Sequence, residues 1–268
     1  RARAASLTLT TRYASAREAV AVRMFRAMRG QGAQVCSREA AAAAIEQVQQ
    51  KILTAIRKSN PETGPVHLTQ GQQDMVYSAL GITTNDRFVV IEGDPGTGKT
   101  TGMEAVRIAA TEAGWRVRGL APSDNARDAL TSSGIEAETV QLATRNPRYW
   151  DELDANTVLI LDEAGMVDTK SYNHICAQCA KRGIRLVSVG DRKQIQSVEA
   201  GTPYADAADA ADASGALVRL SEMTRGRTND MRRLHDLSRD DPAAAIEMLV
   251  KGSSAGRMSF VSERQQRI

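Results

Sequence analysis

Eight consecutive residues carry the plainest chemistry in the chain. Gly93-Asp94-Pro95-Gly96-Thr97-Gly98-Lys99-Thr100 fits the spacing G-x-x-x-x-G-K-[ST] at every fixed position. Glycines there let the backbone wrap so that N–H groups converge on phosphate oxygens. A helix opening at the same place adds partial positive charge. Lys99 is then placed to reach the outer phosphates and the Thr100 hydroxyl to ligate Mg2+, with Thr101 completing the nucleotide-binding run. Such a loop needs an acidic partner, and Val158-Leu159-Ile160-Leu161-Asp162-Glu163-Ala164 supplies one. Asp162 is expected to hold the metal and Glu163 to orient and deprotonate an attacking water. Gln194 follows a third apolar run in Val189-Gly190-Asp191-Arg192-Lys193-Gln194. As donor and acceptor together it could sense a terminal phosphate, although on physics alone ordinary turn chemistry accounts for Asp191 and Gln194 better.

Strands and helices must hold these groups. Phe88–Ile91, Val117–Leu120, Val158–Leu161 and Leu186–Val189 are short, apolar and rich in branched residues, as strands buried on both faces should be. Helical stretches such as Thr100–Ala113 and Ser171–Lys181 lie between them. The alternation predicts an α/β fold, a parallel sheet with helices on both faces, and the phosphate loop after its first strand makes it a P-loop fold. Thr69-x-x-Gln72 matches a helix capping box. Upstream, Ala16, Ala19, Val20, Phe25 and Met28 suggest one helical face. Ser37 can cap a second helix whose stripe is Ile45, Val48, Ile52 and Ile56, with Leu53 beside it. The polar Ser59–Pro65 segment reads as a linker. The expected organisation is a helical N-terminal domain at 1–66 and an α/β domain at 67–250 with a short insertion near 141–156. Residues 251–268 would begin a further domain.

Composition narrows the class. The chain has 268 residues, 42% of them hydrophobic, and a formal charge of +3, which suits a folded protein that tolerates a nucleic-acid partner without requiring one. Aromatic residues are only 4%, too few for a surface built mainly of base-stacking rings. No apolar run approaches a membrane span, and three cysteines cannot pair fully, so a cytoplasmic protein without membrane insertion is expected. Cys176 and Cys179 have metal-ligand spacing but lie in a helical stretch without a second pair, and read as core thiols. Arg145-Asn146-Pro147-Arg148-Tyr149-Trp150 reads equally as a DNA-contacting insertion or as a solvated loop anchored by Trp150. Ala205–Ala213 is biased toward Ala and Asp and reads as an exposed helix or loop without a site.

The order of motifs then resembles a known group. Leu68-Thr69-Gln70-Gly71-Gln72, the phosphate loop, Ala121-Pro122-Ser123-Asp124-Asn125-Ala126, Thr139-Val140, Asp162-Glu163-Ala164, Gly190–Gln194 and Leu220-Ser221-Glu222-Met223-Thr224-Arg225 stand as the motifs of superfamily 1B, RecD-like DNA helicases do. The set is most similar to the helicase region of conjugative relaxase–helicases of the TraI/TrwC type. The resemblance implies that the α/β domain is a RecA-like motor domain in which Gln72 reads adenine, Gln194 couples nucleotide state to DNA grip and Arg225 is an arginine finger. It implies that Pro122, Ser123, Asn125 and Thr139 line single-stranded DNA, with ATP and Mg2+ as cofactors and 5′-to-3′ movement. A relaxase domain in the same polypeptide and the conjugation machinery are the implied partners. Two rival readings are a RecD-like repair helicase and a vestigial helicase-like module that binds DNA or serves as a secretion signal. Arg225 is followed by Gly226 where the group more often has Gln. No second RecA-like domain is visible, so the isolated chain is expected to bind nucleotide weakly, hydrolyse slowly and not unwind.

Overall fold

The computed structural model describes residues 12–192 and 201–222. Helices are α1 (Arg12–Ala27), α2 (Arg38–Arg57), α3 (Gln70–Ala79), α4 (Lys99–Glu112), α5 (Asp124–Ser132), α6 (Val140–Arg145), α7 (Thr169–Arg182) and α8 (Pro203–Ala213). Strands are β1 (Phe88–Gly93), β2 (Arg116–Ala121), β3 (Glu136–Thr139), β4 (Thr157–Leu161), β5 (Arg185–Gly190) and β6 (Val218–Leu220). They form one sheet in the order β3-β2-β4-β5-β1-β6, and every pairing is parallel. The phosphate-loop strand β1 and the acidic strand β4 therefore flank β5. The expected α/β architecture is the one observed.

Strand alternation divides the interior into two cores. Val89 and Ile91 of β1, with Val158 and Ile160 of β4, face α2, α3, α4 and Leu130 of α5. Phe88 and Val90, with Leu159 and Leu161, face α1, α6, α7 and α8. The inner strands are largely apolar because each must satisfy both layers, with Arg118 in β2 and Ser188 in β5 as the polar exceptions within the runs. The two edge strands were not foreseen. Glu136-Ala137-Glu138-Thr139 is polar throughout, and β6 has three residues.

The two N-terminal helices lie on opposite faces of the sheet and share both cores, where a separate helical domain was expected. Ala21, Phe25 and Met28 of the α1 region are buried, and the Phe25 ring meets Phe88 edge-on at 5.7 Å. Ala19 is exposed, so the buried stripe of α1 is displaced from the expected one. Ser37 caps α2, accepting from the Ala40 N–H at 3.2 Å. Ala41, Ala44, Ile45 and Val48 enter the other core, while Ile56 is exposed and the stripe ends at Leu53. Buried Arg185 ties the joint between these helices to the sheet by donating to the carbonyls of Asp86 and Ala33. Burial lowers its pKa to about 10.

Candidate functional site

The motif residues gather at one edge of the sheet, where the parallel strands end. Gly93 closes β1, Pro122 and Ser123 follow β2, Thr139 closes β3, Asp162 follows β4, and Asp191 and Arg192 follow β5. The carboxyl edge of an open parallel sheet is where ligands bind in such folds, because strand ends and helix starts converge there.

The phosphate loop is built as its spacing predicts. Gly96 and Gly98 have φ of +83° and +78°, a left-handed conformation that side chains resist. No side chain caps α4. The start of that helix therefore keeps the electrostatic character that favours an anion. The Thr97 hydroxyl donates to the Asp94 carbonyl at 2.8 Å and closes the loop on itself. Lys99 bends back so that its ammonium donates to the Gly93 carbonyl at 3.0 Å, which leaves two more N–H donors on that nitrogen.

Asp162 and Glu163 leave β4 in a sharp turn. The Asp162 N–H donates to the Leu120 carbonyl at 2.9 Å, and its carboxylate accepts the Glu163 N–H at 2.9 Å. Glu163 has φ +47° and ψ +41°; among the described residues it alone, glycine aside, has a positive φ. Gly165 permits the turn to pass close to the end of β5, since a Cβ there would lie 2.9 Å from the Asp191 carbonyl oxygen. Burial, and then the Glu163 charge, push the Asp162 carboxyl up to about 6, while Lys99 pulls it the other way. Lys99 and Asp162 thus come to the same strand-end edge although they lie far apart in the chain. The Asp162 carboxylate after β4 and the Thr100 hydroxyl at the start of α4 are hard oxygen donors at the same sheet edge, which fits Mg2+.

Gln72 does more than cap its helix. It is buried, and its amide nitrogen donates to the carbonyls of Thr97 at 3.1 Å and Gly98 at 3.2 Å. Its amide oxygen accepts the Thr69 N–H at 2.9 Å and completes the capping box of α3. The side chain thus holds the phosphate loop as well as capping α3.

On the β2–β3 side, Ser123 and Asn125 are exposed, and Pro122 and Thr139 are half-buried. Ser123 caps α5 and Thr139 caps α6, each accepting one backbone N–H, at 3.3 and 3.2 Å. Capping uses a lone pair and leaves the O–H proton to donate outward. The 145–150 segment does not offer its rings to solvent. Trp150 is 1% exposed, its indole N–H donates to the Ala143 carbonyl at 2.7 Å, and Tyr149 packs edge-on against it. Burial raises the Tyr149 hydroxyl pKa far above its usual range. Trp150 is core and Tyr149 is half-buried against it, so Trp150 anchors the segment, while Arg145 and Arg148 are exposed. Cys176 and Cys179 are likewise fully buried, and among the described residues no group of metal-ligating side chains gathers. Gln194 and Arg225 lie outside the described residues. Glu92 was not singled out from the sequence; its only signal is a lone acid ending an apolar strand.

A phosphate loop on one strand, an acidic turn two strands away and a third strand between them define a P-loop nucleoside triphosphatase of the RecA-like kind. The chain belongs to the AAA domain family, which it matches over residues 67–259. It is 39% identical over 132 residues to a probable conjugal transfer protein TraA of Sinorhizobium fredii, covering 46% of this chain and 11% of that protein. It is 34% identical over 148 residues to the multifunctional conjugation protein TraI of Escherichia coli, covering 51% of this chain and 8% of that protein. It is 32% identical over 152 residues to the ATP-dependent RecD2 DNA helicase of Deinococcus radiodurans, covering 54% of this chain and 21% of that protein. The matched part is thus about a tenth of the conjugation proteins and a fifth of the helicase. These are the relatives that the superfamily 1B resemblance implies. No helix among the described residues is long and apolar enough to cross a membrane.

Proposed function

We propose that this chain is the first motor lobe of a 5′-to-3′ DNA helicase, binding and hydrolysing ATP with Mg2+ as it grips single-stranded DNA during plasmid transfer. The observation that carries the reading is the placement of the phosphate loop, which opens α4, and of the Asp162-Glu163 turn at the same carboxyl edge of one parallel sheet. The loop backbone and Lys99 bind the phosphates, and Gln72 holds the loop in shape. Thr100 and Asp162 would hold Mg2+, which supplies charge neutralisation on the phosphates when bound. Glu163 orients a water and accepts its proton, from a strained turn that fixes where its side chain starts. Gln194 reports the state of the terminal phosphate, and Arg225 supplies positive charge to it.

Ser123, Asn125 and Thr139 donate to DNA phosphates along the β2–β3 end of the same edge, with Pro122 beside them. Nucleotide and strand then lie along one sheet edge, with β4 and β5 between β2 and the phosphate-loop strand β1. The names of the relatives support this choice over a P-loop enzyme unrelated to DNA. A relaxase domain in the same polypeptide and the conjugation machinery are the proposed partners, and a second RecA-like lobe is needed for unwinding. The test is oligo(dT)-stimulated ATP hydrolysis by the full parent protein, with a Glu163→Gln variant beside it. Stimulation in the wild type, abolished in the variant and by chelation of Mg2+, is expected. Equal background rates in both would sink the motor reading in favour of a DNA-binding module.

A further inference from the structure

Glu92 stands one residue before the phosphate loop, and its side chain is only 14% exposed. Arg192 donates to both of its oxygens, Nε to Oε1 at 2.5 Å and Nη2 to Oε2 at 2.7 Å. Arg219 of β6 approaches Oε2 from its own strand, with Nε at 3.5 Å. Each arginine also holds α8: Arg192 donates to Asp209, and Arg219 pairs with Asp212 at 2.6 Å. Tyr204, at the start of α8, donates its hydroxyl to the Ile91 carbonyl at 2.8 Å. Its ring fills the space where a Cβ on Gly190 would sit, 2.9 Å away. The Ala/Asp stretch that seemed featureless is therefore a strap across three strand ends. Tyr204, Ala207, Ala208 and Ala211 face inward, and Asp209 and Asp212 hold the arginines.

The three strands joined at Glu92 lead into three candidate catalytic groups. Gly93 follows Glu92 directly, and its carbonyl receives Lys99. Arg192 stands two positions before Gln194, and Arg219 six before Arg225. An isolated exposed ion pair would fasten little. A two-pronged guanidinium–carboxylate pair that is largely shielded fixes direction as well as distance.

We infer that Glu92 and Arg192 are positioning residues: their paired bonds lock the phosphate-loop strand to the strand end that leads to Gln194, so a shift at one is imposed on the other. Arg219 adds β6 to the same lock. The inference rests on the motor reading for its consequence in catalysis, but the lock itself does not.

Two measurements on the full chain test it. Without nucleotide, deuterium uptake is followed over residues 92–98 and 189–192 in wild type, Glu92→Gln and Arg192→Met. Both stretches should exchange faster in either variant; a rise confined to the altered end overturns the lock. With Mg-ATP, either variant should lower kcat by about tenfold while binding of a fluorescent ATP analogue changes by less than about twofold. The double variant should be no worse than either single one, and Arg192→Lys should recover only part of the rate, because an ammonium cannot make both bonds. Hydrolysis within about twofold of wild type overturns the inference, as does a loss that merely follows weakened nucleotide binding or a lowered melting temperature. A wild type that binds no nucleotide fails the motor reading instead, and the exchange measurement still decides the lock.

Discussion

At the scale of single residues, the acidic turn after β4 trades stability for chemistry. Asp162 is buried, and its carboxyl is pushed up to about 6 by burial and by Glu163. The unfolded chain releases that proton near the ordinary carboxylate value of about 4. The native state therefore binds the proton more tightly, and stability falls as pH rises from about 4 through about 6. Asp162→Asn keeps an oxygen for the Glu163 N–H and removes the charge. In metal-free protein it should gain on the order of 2 kcal/mol over wild type near pH 8 and almost nothing near pH 4, as read from urea melts. Wild-type advantage near pH 8 would contradict the burial argument. Glu163 adds backbone strain to this charge. Glu163→Gln and Glu163→Asn both relieve repulsion with Asp162 and both abolish water activation, but asparagine tolerates the left-handed region better. The Asn variant should melt above the Gln variant by the equivalent of about 1 kcal/mol. Equal melting temperatures would mean that the positive φ costs nothing.

Among elements, α3 joins the start of the family region to the phosphate loop. Its capping box could be read from Thr69 and Gln72 alone. The second use of the Gln72 amide, on the carbonyls of Thr97 and Gly98, could not, because nothing local says which loop will pass the helix start. Gly71 shows the same closeness, since a Cβ there would lie 2.6 Å from the Arg219 carbonyl oxygen in β6. Gln72→Ala should cost about 1–2 kcal/mol in unfolding free energy through the lost half of the capping box and the lost bonds to the Thr97 and Gly98 carbonyls. It should weaken ATP and GTP binding to the same degree, because the loop shape serves any triphosphate. A loss confined to ATP would make the side chain a reader of adenine. The strands show the same limit of local information. The inner ones declare themselves by short, mostly apolar runs, whereas β3 and β6 lie at the sheet edges, where one polar side can face water. The inner face of α8 was hidden because alanines fill it, and alanine signals helix more than burial.

For the whole molecule, what the sequence left open was which elements share a core. Periodicity marks a helix as amphipathic but does not say against which layer it lies, so α1 and α2 looked like a separate pair behind a polar linker. They sit on opposite faces of the sheet, α1 against α7 and α8 and α2 against α4. The candidate site was legible where a motif sets local backbone, as in the phosphate loop and the acidic turn. It was not legible where distant chains meet, as at Glu92 with Arg192. The placement of α1 makes a claim about cooperativity. Phe25 is 1% exposed and meets Phe88, in the strand that carries the phosphate loop. Phe25→Ala should remove about 3–5 kcal/mol, lowering the unfolding midpoint of the sheet itself. Tryptophan fluorescence reads that directly, since Trp150 lies in the same core and Trp115 packs against the other. If α1 were a separate appendage, the substitution would melt a helix by far-ultraviolet circular dichroism and leave the fluorescence midpoint where it was. A single shifted transition, coincident by both probes, is the expected result, because a layer that closes one face of a sheet cannot unfold without exposing the other.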